Sequence, residues 1–159
     1  MNLTVICVGS LKERYWKEAV GEYLKRLSAY CKPEIVEVKD EKTPEGATDR
    51  EVKKILDTEG KRILEKIRDR AFVAALAIDG TAMDSEAFSL AHEKWEQAGR
   101  GELVFVIGGS LGLSGEVLKR ADVRVSFSKL TFPHQLMRVI LLEQIYRSYR
   151  IRTGAPYHK

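Results

Sequence analysis

Hydrophobic spacing divides the chain into alternating segments of two kinds. Leu3 to Val8 is a nearly continuous apolar run, the pattern of a strand covered on both faces. The stretch after it places Trp16, Val20, Tyr23, Leu24 and Leu27 at i, i+4, i+7, i+8 and i+11, which makes one side of a helix apolar. Pro33 follows the end of that helix, and Glu34 to Val38 alternates like a strand. Residues Lys39 to Ala47 form a polar loop with Pro and Gly. Thr48 and Glu51 then match a Thr-x-x-Glu capping box that opens a second helix, reaching about Ile67 with Val52, Ile55, Leu56, Ile63 and Ile67 inward.

Phe72 to Ile78 reads as a third strand, closed by the turn residues Asp79-Gly80-Thr81. Asp84 or Ser85 caps the next helix, whose apolar stripe is Phe88, Ala91, His92 and Trp95; Gly99 and Gly101 stop it after Gln97. Leu103 to Ile107 and Val123 to Ser126 are the fourth and fifth strands, separated by a short helix over Glu116 to Arg120. Pro133 suits the first turn of a long last helix, where its missing N–H has no partner to lose. Strands alternating with helices predict an α/β fold, a mostly parallel sheet with helices on both faces. At 159 residues the chain can build one core, so residues 1–159 are expected to form a single domain.

The last helix carries more apolar surface than one sheet can cover. Leu136, Met137, Val139, Ile140, Leu141, Leu142, Ile145, Tyr146 and Tyr149 leave only a narrow polar strip. A homodimer with this helix at its interface follows. Charge is concentrated at the same end: Arg138, Arg147, Arg150, Arg152 and Lys159 stand against Glu143 alone, which accounts for the whole net charge of +4. A neutral body with a basic end suggests a polyanionic partner, although a solvated helix face gives the same count. Glu143 and Arg147, four residues apart, read as a structural pair. Arg138 lies one turn into the helix and is expected to meet an RNA phosphate, or a carboxylate across the dimer.

Composition narrows the class. With 44% hydrophobic and 31% charged residues the chain is globular, and no apolar run approaches the ~18 residues of a membrane span. The opening MNLTVICVGS lacks the basic start and length of a signal peptide, which leaves the cytoplasm as the expected address. Cys7 and Cys31 lack CxxC spacing and read as packing residues. His92, His134 and His158 have no ligand spacing, so no metal site is expected. His92 belongs to an apolar stripe, His134 stands at a helix start, and His158 is in the terminal Tyr157-His158-Lys159, where tails usually fray.

Chemistry is concentrated in the glycine loop Gly108-Gly109-Ser110-Leu111-Gly112. No Lys-Ser/Thr follows it, so it is no P-loop, and the spacing is not GxGxxG. A tight turn needing positive φ would explain the glycines by itself. Yet loops at the carboxyl ends of parallel strands are where open α/β sheets bind ligands. Three such loops, Asp79–Thr81, Gly108–Gly112 and Phe127–Phe132, are expected to converge on one pocket.

GGSLGL after a VFVI strand, SFSKLTFPHQLMRVILLEQIYRSYRI and the terminal PYHK, with the opening VICVGSLKERYW and the DGTAMDSE turn, resemble the small SPOUT-class methyltransferases that methylate N3 of a pseudouridine in large-subunit (23S) ribosomal RNA. The resemblance covers the full length. It implies S-adenosylmethionine as cofactor, a homodimer, and a carboxyl-terminal trefoil knot forming the cofactor site; a general α/β reading would propose no knot. It also implies cofactor contacts at Leu76, Gly108 and the run Phe127, Ser128, Lys129, Leu130, Thr131, Phe132. A sulfonium methyl is already activated, while the imide N3–H must lose its proton. The candidates for that role are Tyr157 and His158, with Lys159 on the RNA, in a tail folded over the nucleotide, and His134 second. The expected substrate is RNA within assembled ribosomes. Two rivals stand beside this reading: a non-enzymatic nucleotide- or RNA-binding module, and a different transferase on a flavodoxin-like scaffold.

Overall fold

A computed structural model describes residues 1–159. Strands β1 (Asn2–Val8), β2 (Lys32–Val38), β3 (Phe72–Ala82), β4 (Glu102–Ile107) and β5 (Val123–Ser126) form one sheet in the order β2-β1-β4-β3-β5. Every neighbouring pair is parallel. Parallel neighbours need long crossovers. Helices α1 (Arg14–Leu27), α2 (Asp49–Leu64), α3 (Ser85–Ala98), α4 (Gly115–Arg120) and α5 (His134–Arg152) alternate with the strands.

The central strands are almost entirely apolar because each feeds two cores. β1 sends Leu3, Val5 and Cys7 to one face and Ile6 and Val8 to the other. β4 does the same with Leu103, Phe105 and Ile107 against Val104 and Val106. The first core is closed by Val20 and Leu27 of α1, Phe88 and Trp95 of α3, and Leu141, Leu142 and Ile145 of α5. The second is closed by Ile63 of α2 and Val117 of α4. Phe105 is fully buried, so its truncation to Ala would cost about 3–5 kcal/mol.

Local signals hold at the helix starts. Thr48 and Glu51 form both halves of the capping box on α2. Asp84, not Ser85, caps α3, its Oδ1 accepting from the Ala87 N–H at 2.8 Å. Helix α2 ends at Leu64, short of the expected Ile67, although Ile67 still packs on the second core from the following turn. Both cysteines are free and buried. Burial pushes the Cys7 thiol up to about 12, which makes it a packing group at neutral pH.

The expected turn at Asp79-Gly80-Thr81 is corrected. β3 continues through these residues to Ala82. Leu76 and Thr81 both pair with Val125 of β5, so the residues between them are thrown out as an irregular bulge and the strand then resumes. Gly80 makes this possible: a Cβ there would lie 2.7 Å from the backbone of Arg124 and Val125. Turn chemistry was present, but it serves a bulge that brings two backbones together.

Helix α5 is only partly absorbed by its own chain. Leu141, Leu142, Ile145 and Tyr149 are buried, whereas Leu136 and Ile140, one turn apart, are half-exposed and belong to neither core.

Candidate functional site

The bulge of β3, the carboxyl ends of β4 and β5 and the start of α5 surround one cavity of about 740 Å³, within the size range of small-molecule sites. Leu76 to Asp79 line it from the β3 bulge, Gly108 to Leu113 from the glycine loop, and Phe127 to Met137 contribute most of the remaining wall. Of the cofactor residues expected from the sequence, Leu76, Gly108, Phe127, Ser128, Leu130, Thr131 and Phe132 all line this cavity. Lys129 does not: it is exposed and lies outside the lining, between Ser128 and Leu130, which both belong to it. Of the expected Asp79–Thr81 loop only Asp79 faces the cavity, since Gly80 is packed on β5.

The glycine loop folds on itself. The Gly112 N–H donates to the Gly109 carbonyl at 3.1 Å, and Gly112 takes a φ of +89°. A Cβ at Gly108 would lie 2.4 Å from the Gly112 carbonyl oxygen. The tight-turn explanation of these glycines is therefore correct, and the same turn walls the cavity. On the opposite side Phe127 packs edge-on to Phe88 with centroids 5.7 Å apart, which ties the cavity wall to the first core. The N–H groups of Ser128, Lys129, Thr131 and Phe132 donate to no other group of the chain, while that of Leu130 donates to Ser128 Oγ at 2.9 Å. Unspent backbone donors beside an apolar cavity fit a ligand with scattered polar edges, such as an adenosyl group. Their number was invisible in the sequence.

His134 lines the cavity at the first position of α5. Burial, with the charge of Arg138, holds its pKa below the ordinary imidazole range, and its Nδ1 is buried without a partner. It is thus a neutral ring at neutral pH. His92, by contrast, is a core residue: fully buried, stacked on Phe88, with Nδ1 2.8 Å from Ser148 Oγ.

Arg138 is corrected. Its guanidinium is fully buried, bonded to Glu37 Oε2 at 2.6 Å and to the Gly9 carbonyl at 2.9 Å. It braces the ends of β1 and β2 within one chain and presents nothing to RNA. The extended β strand places Glu37 beside it, a partner 101 positions away that helix periodicity could not reveal.

The tail is folded instead of frayed. The Tyr157 hydroxyl donates to Glu143 Oε1 at 3.1 Å, and the Arg147 guanidinium lies 4.8 Å from the Tyr157 ring centroid. Burial, with the Glu143 carboxylate, pushes the Tyr157 phenol up to about 12. His158 Nδ1 is 3.1 Å from Arg147 Nη1, and Nε2 is 3.8 Å from Glu86 Oε1. Lys159 is exposed. Glu143 and Arg147, read from sequence as a helix pair, are such a pair at 2.5 Å and also the dock for the tail. Within one chain neither Tyr157 nor His158 lines the cavity.

Comparison with known proteins bears on what such a site does. The model of one protein family, described as "Predicted SPOUT methyltransferase", matches residues 1–158. Proteins named ribosomal RNA large subunit methyltransferase H are 56% identical in Clostridium perfringens and Listeria monocytogenes and 55% identical in Clostridioides difficile. Each match spans 159 residues, the whole of this chain and the whole of the relative. A Legionella pneumophila protein solved in complex with bound SAM aligns with a TM-score of 0.49 at 10% identity, over 94% of this chain and 66% of that one. With a family model matched along nearly all of its length and full-length relatives above half identity, the chain belongs to the SPOUT methyltransferase family.

Proposed function

We propose that the protein transfers a methyl group from S-adenosylmethionine to N3 of a pseudouridine in large-subunit (23S) ribosomal RNA, as a homodimer acting on assembled ribosomes in the cytoplasm. The observation that carries the reading is the single cavity bounded by the β3 bulge and the loops after β4 and β5, whose lining includes Ser128, Thr131 and Phe132 with N–H groups that have no partner in the chain. The names of the full-length relatives support the RNA substrate. A trefoil knot spanning the last third belongs to the same proposal, supported by the match of the SPOUT family model to residues 1–158.

S-adenosylmethionine brings a methyl already activated on sulfur, so the chain's task is placement. Leu76, Gly108 and the run from Phe127 to Phe132 hold it, the backbone by hydrogen bonds and Phe127 and Phe132 as apolar wall. The imide proton must leave the acceptor nitrogen. Tyr157, with its phenol pushed up to about 12, stays protonated at neutral pH and acts as a donor. His158 takes the proton. A guanidinium can only donate, so Arg147 occupies the lone pair of His158 Nδ1 in the folded tail. Release from Arg147 frees that lone pair for the substrate.

Because the tail does not reach its own cavity, we assign Tyr157, His158 and Lys159 to the partner's cavity, with Lys159 on an RNA phosphate. The half-exposed Leu136 and Ile140 support a second copy against α5. The test is methyl incorporation from labelled S-adenosylmethionine into assembled ribosomes, free large subunits and naked 23S RNA, with the product identified by mass spectrometry. Incorporation at N3 of a pseudouridine, strongest on assembled ribosomes, is expected. Transfer to none of the three, by protein that binds the donor, would remove the reading.

A further inference from the structure

Methyl transfer requires the acceptor nitrogen to approach the donor methyl to about 3–3.5 Å, so the target nucleotide must enter through the cavity mouth. Two residues that line this cavity are largely exposed, Ile78 at 56% and Leu130 at 71%. They are two of the four large hydrophobic side chains that the chain leaves exposed. A lone exposed leucine means little. These two, however, come from the β3 bulge and from the loop after β5 to line one cavity.

The position of Leu130 is built. Its N–H donates to Ser128 Oγ at 2.9 Å, and Ser126 Oγ donates to the Ser128 carbonyl at 3.2 Å, a local turn that holds the tip outward. Beside it Lys129 is exposed and joins no ion pair of the chain. The tip thus carries an apolar side chain and an unpaired cation in adjacent positions.

We propose that Ile78 and Leu130 clamp the unpaired base of the acceptor nucleotide while Lys129 holds a flanking phosphate. The proposal rests on the methyl-transfer reading. Single-stranded RNA offers both halves of the match, a flat base face that an apolar pair can cover and a phosphate for the cation. The segment from Ser128 to Phe132 then works in two directions. Its N–H groups serve the donor within, and the side chains at 129 and 130 serve the acceptor without. A second copy of this chain is the rival occupant of the same rim.

The experiment uses the full-length protein with large-subunit ribosomal particles as acceptor. Leu130→Ser and Ile78→Ser should each raise KM for the particles about tenfold, roughly 1.4 kcal/mol. Sedimentation behaviour should not change, and because both residues also line the donor cavity, any loss of donor affinity by calorimetry should be much smaller than the rise in KM for the particles. Lys129→Ala should weaken particle binding and lower the slope of log affinity against log salt by about 1, with Lys129→Arg restoring it. Donor affinity falling in step with turnover would give these side chains to the donor instead. A shift to a smaller species in sedimentation would give them to a subunit interface. Unaltered variants beside an active wild type remove the clamp alone; a wild type that binds no S-adenosylmethionine removes the methyl-transfer reading beneath it.

Discussion

Arg138 Nη1 and Glu37 Oε2 are 2.6 Å apart, the guanidinium fully buried and the carboxylate side chain 42% exposed. The pair joins the second turn of α5 to the end of β2, and the second Arg138 nitrogen holds the Gly9 carbonyl. Arg138→Met keeps the apolar stem and removes both bonds. Water can take over part of the partly exposed Glu37, so the loss falls at about 2–4 kcal/mol, the lower side of a broken buried pair. Urea unfolding measures it. An unshifted midpoint would mean that the brace contributes nothing.

His92 titrates against the fold. Burial lowers its pKa to about 4, with Glu96 opposing that shift and Arg152 adding to it. Glu96 lies 3.3 Å from Nε2, and Ser148 and Arg152 face Nδ1. A folded pKa below the unfolded ~6.5 means that the unfolded chain binds more protons between those values. Stability from this residue is therefore complete above about pH 6.5 and lost as pH falls toward 4. The slope approaches about 1.4 kcal/mol per pH unit. Denaturant titrations from pH 4.5 to 7 should show it, and His92→Gln should flatten it. The same slope in that variant would acquit His92.

His158→Ala should leave donor affinity nearly intact and lower methyl transfer about 10²–10⁴-fold, the range of a lost general base. Tyr157→Phe removes the donating hydroxyl, with its bond to Glu143 Oε1, but leaves the base in place and should cost much less. Single-turnover rates on ribosomes, beside calorimetry with the donor, make the comparison. Full turnover in the alanine variant would end the base assignment.

Ile140→Glu places a charge on the half-exposed strip of α5 and should yield monomers in sedimentation, without transfer activity. Its thermal stability gives the control for misfolding. A dimer that survives both Leu136→Glu and Ile140→Glu would place the subunit contact elsewhere.

Gly80→Ala forces a methyl to within 2.7 Å of the β5 backbone, which neither strand can yield cheaply. Overpacking of this kind costs about 1–3 kcal/mol. Because Ile78 and Asp79 of the same bulge line the cavity, donor affinity should fall as well. Unchanged calorimetry would detach the bulge from the site.

Much of this architecture was legible as pattern. Five strands and five helices follow from apolar runs and amphipathic spacing, since each local preference agrees with where its residues are buried. Thr48 and Asp84 announce their helices because capping is a contact over three residues. What the sequence concealed depends on partners far along the chain. Asp79-Gly80-Thr81 has the composition of a turn, and only the β5 backbone beside Gly80 makes it a bulge. Arg138 looked like an RNA contact because Glu37, which neutralises it, is 101 positions away. The loops Gly108–Gly112 and Phe127–Phe132 are placed on one pocket by their position after parallel strands, and the family resemblance adds Leu76 and the adenosyl donor. The 127–132 run is expected to contact the donor as a whole, yet Lys129 alone of its six residues lies outside the lining.

Strand β5 has four residues and hydrogen-bonds to β3 alone, at the sheet's margin. A margin so short is the first place where amide protons should exchange with solvent, well before the interior strands open. Any molecule gripped between the β3 bulge and the loop that follows β5 also fastens that margin, so its concentration sets how often the edge frays. Occupancy and local order are then one equilibrium, and the same chain will look loose or firm at this corner according to what it carries.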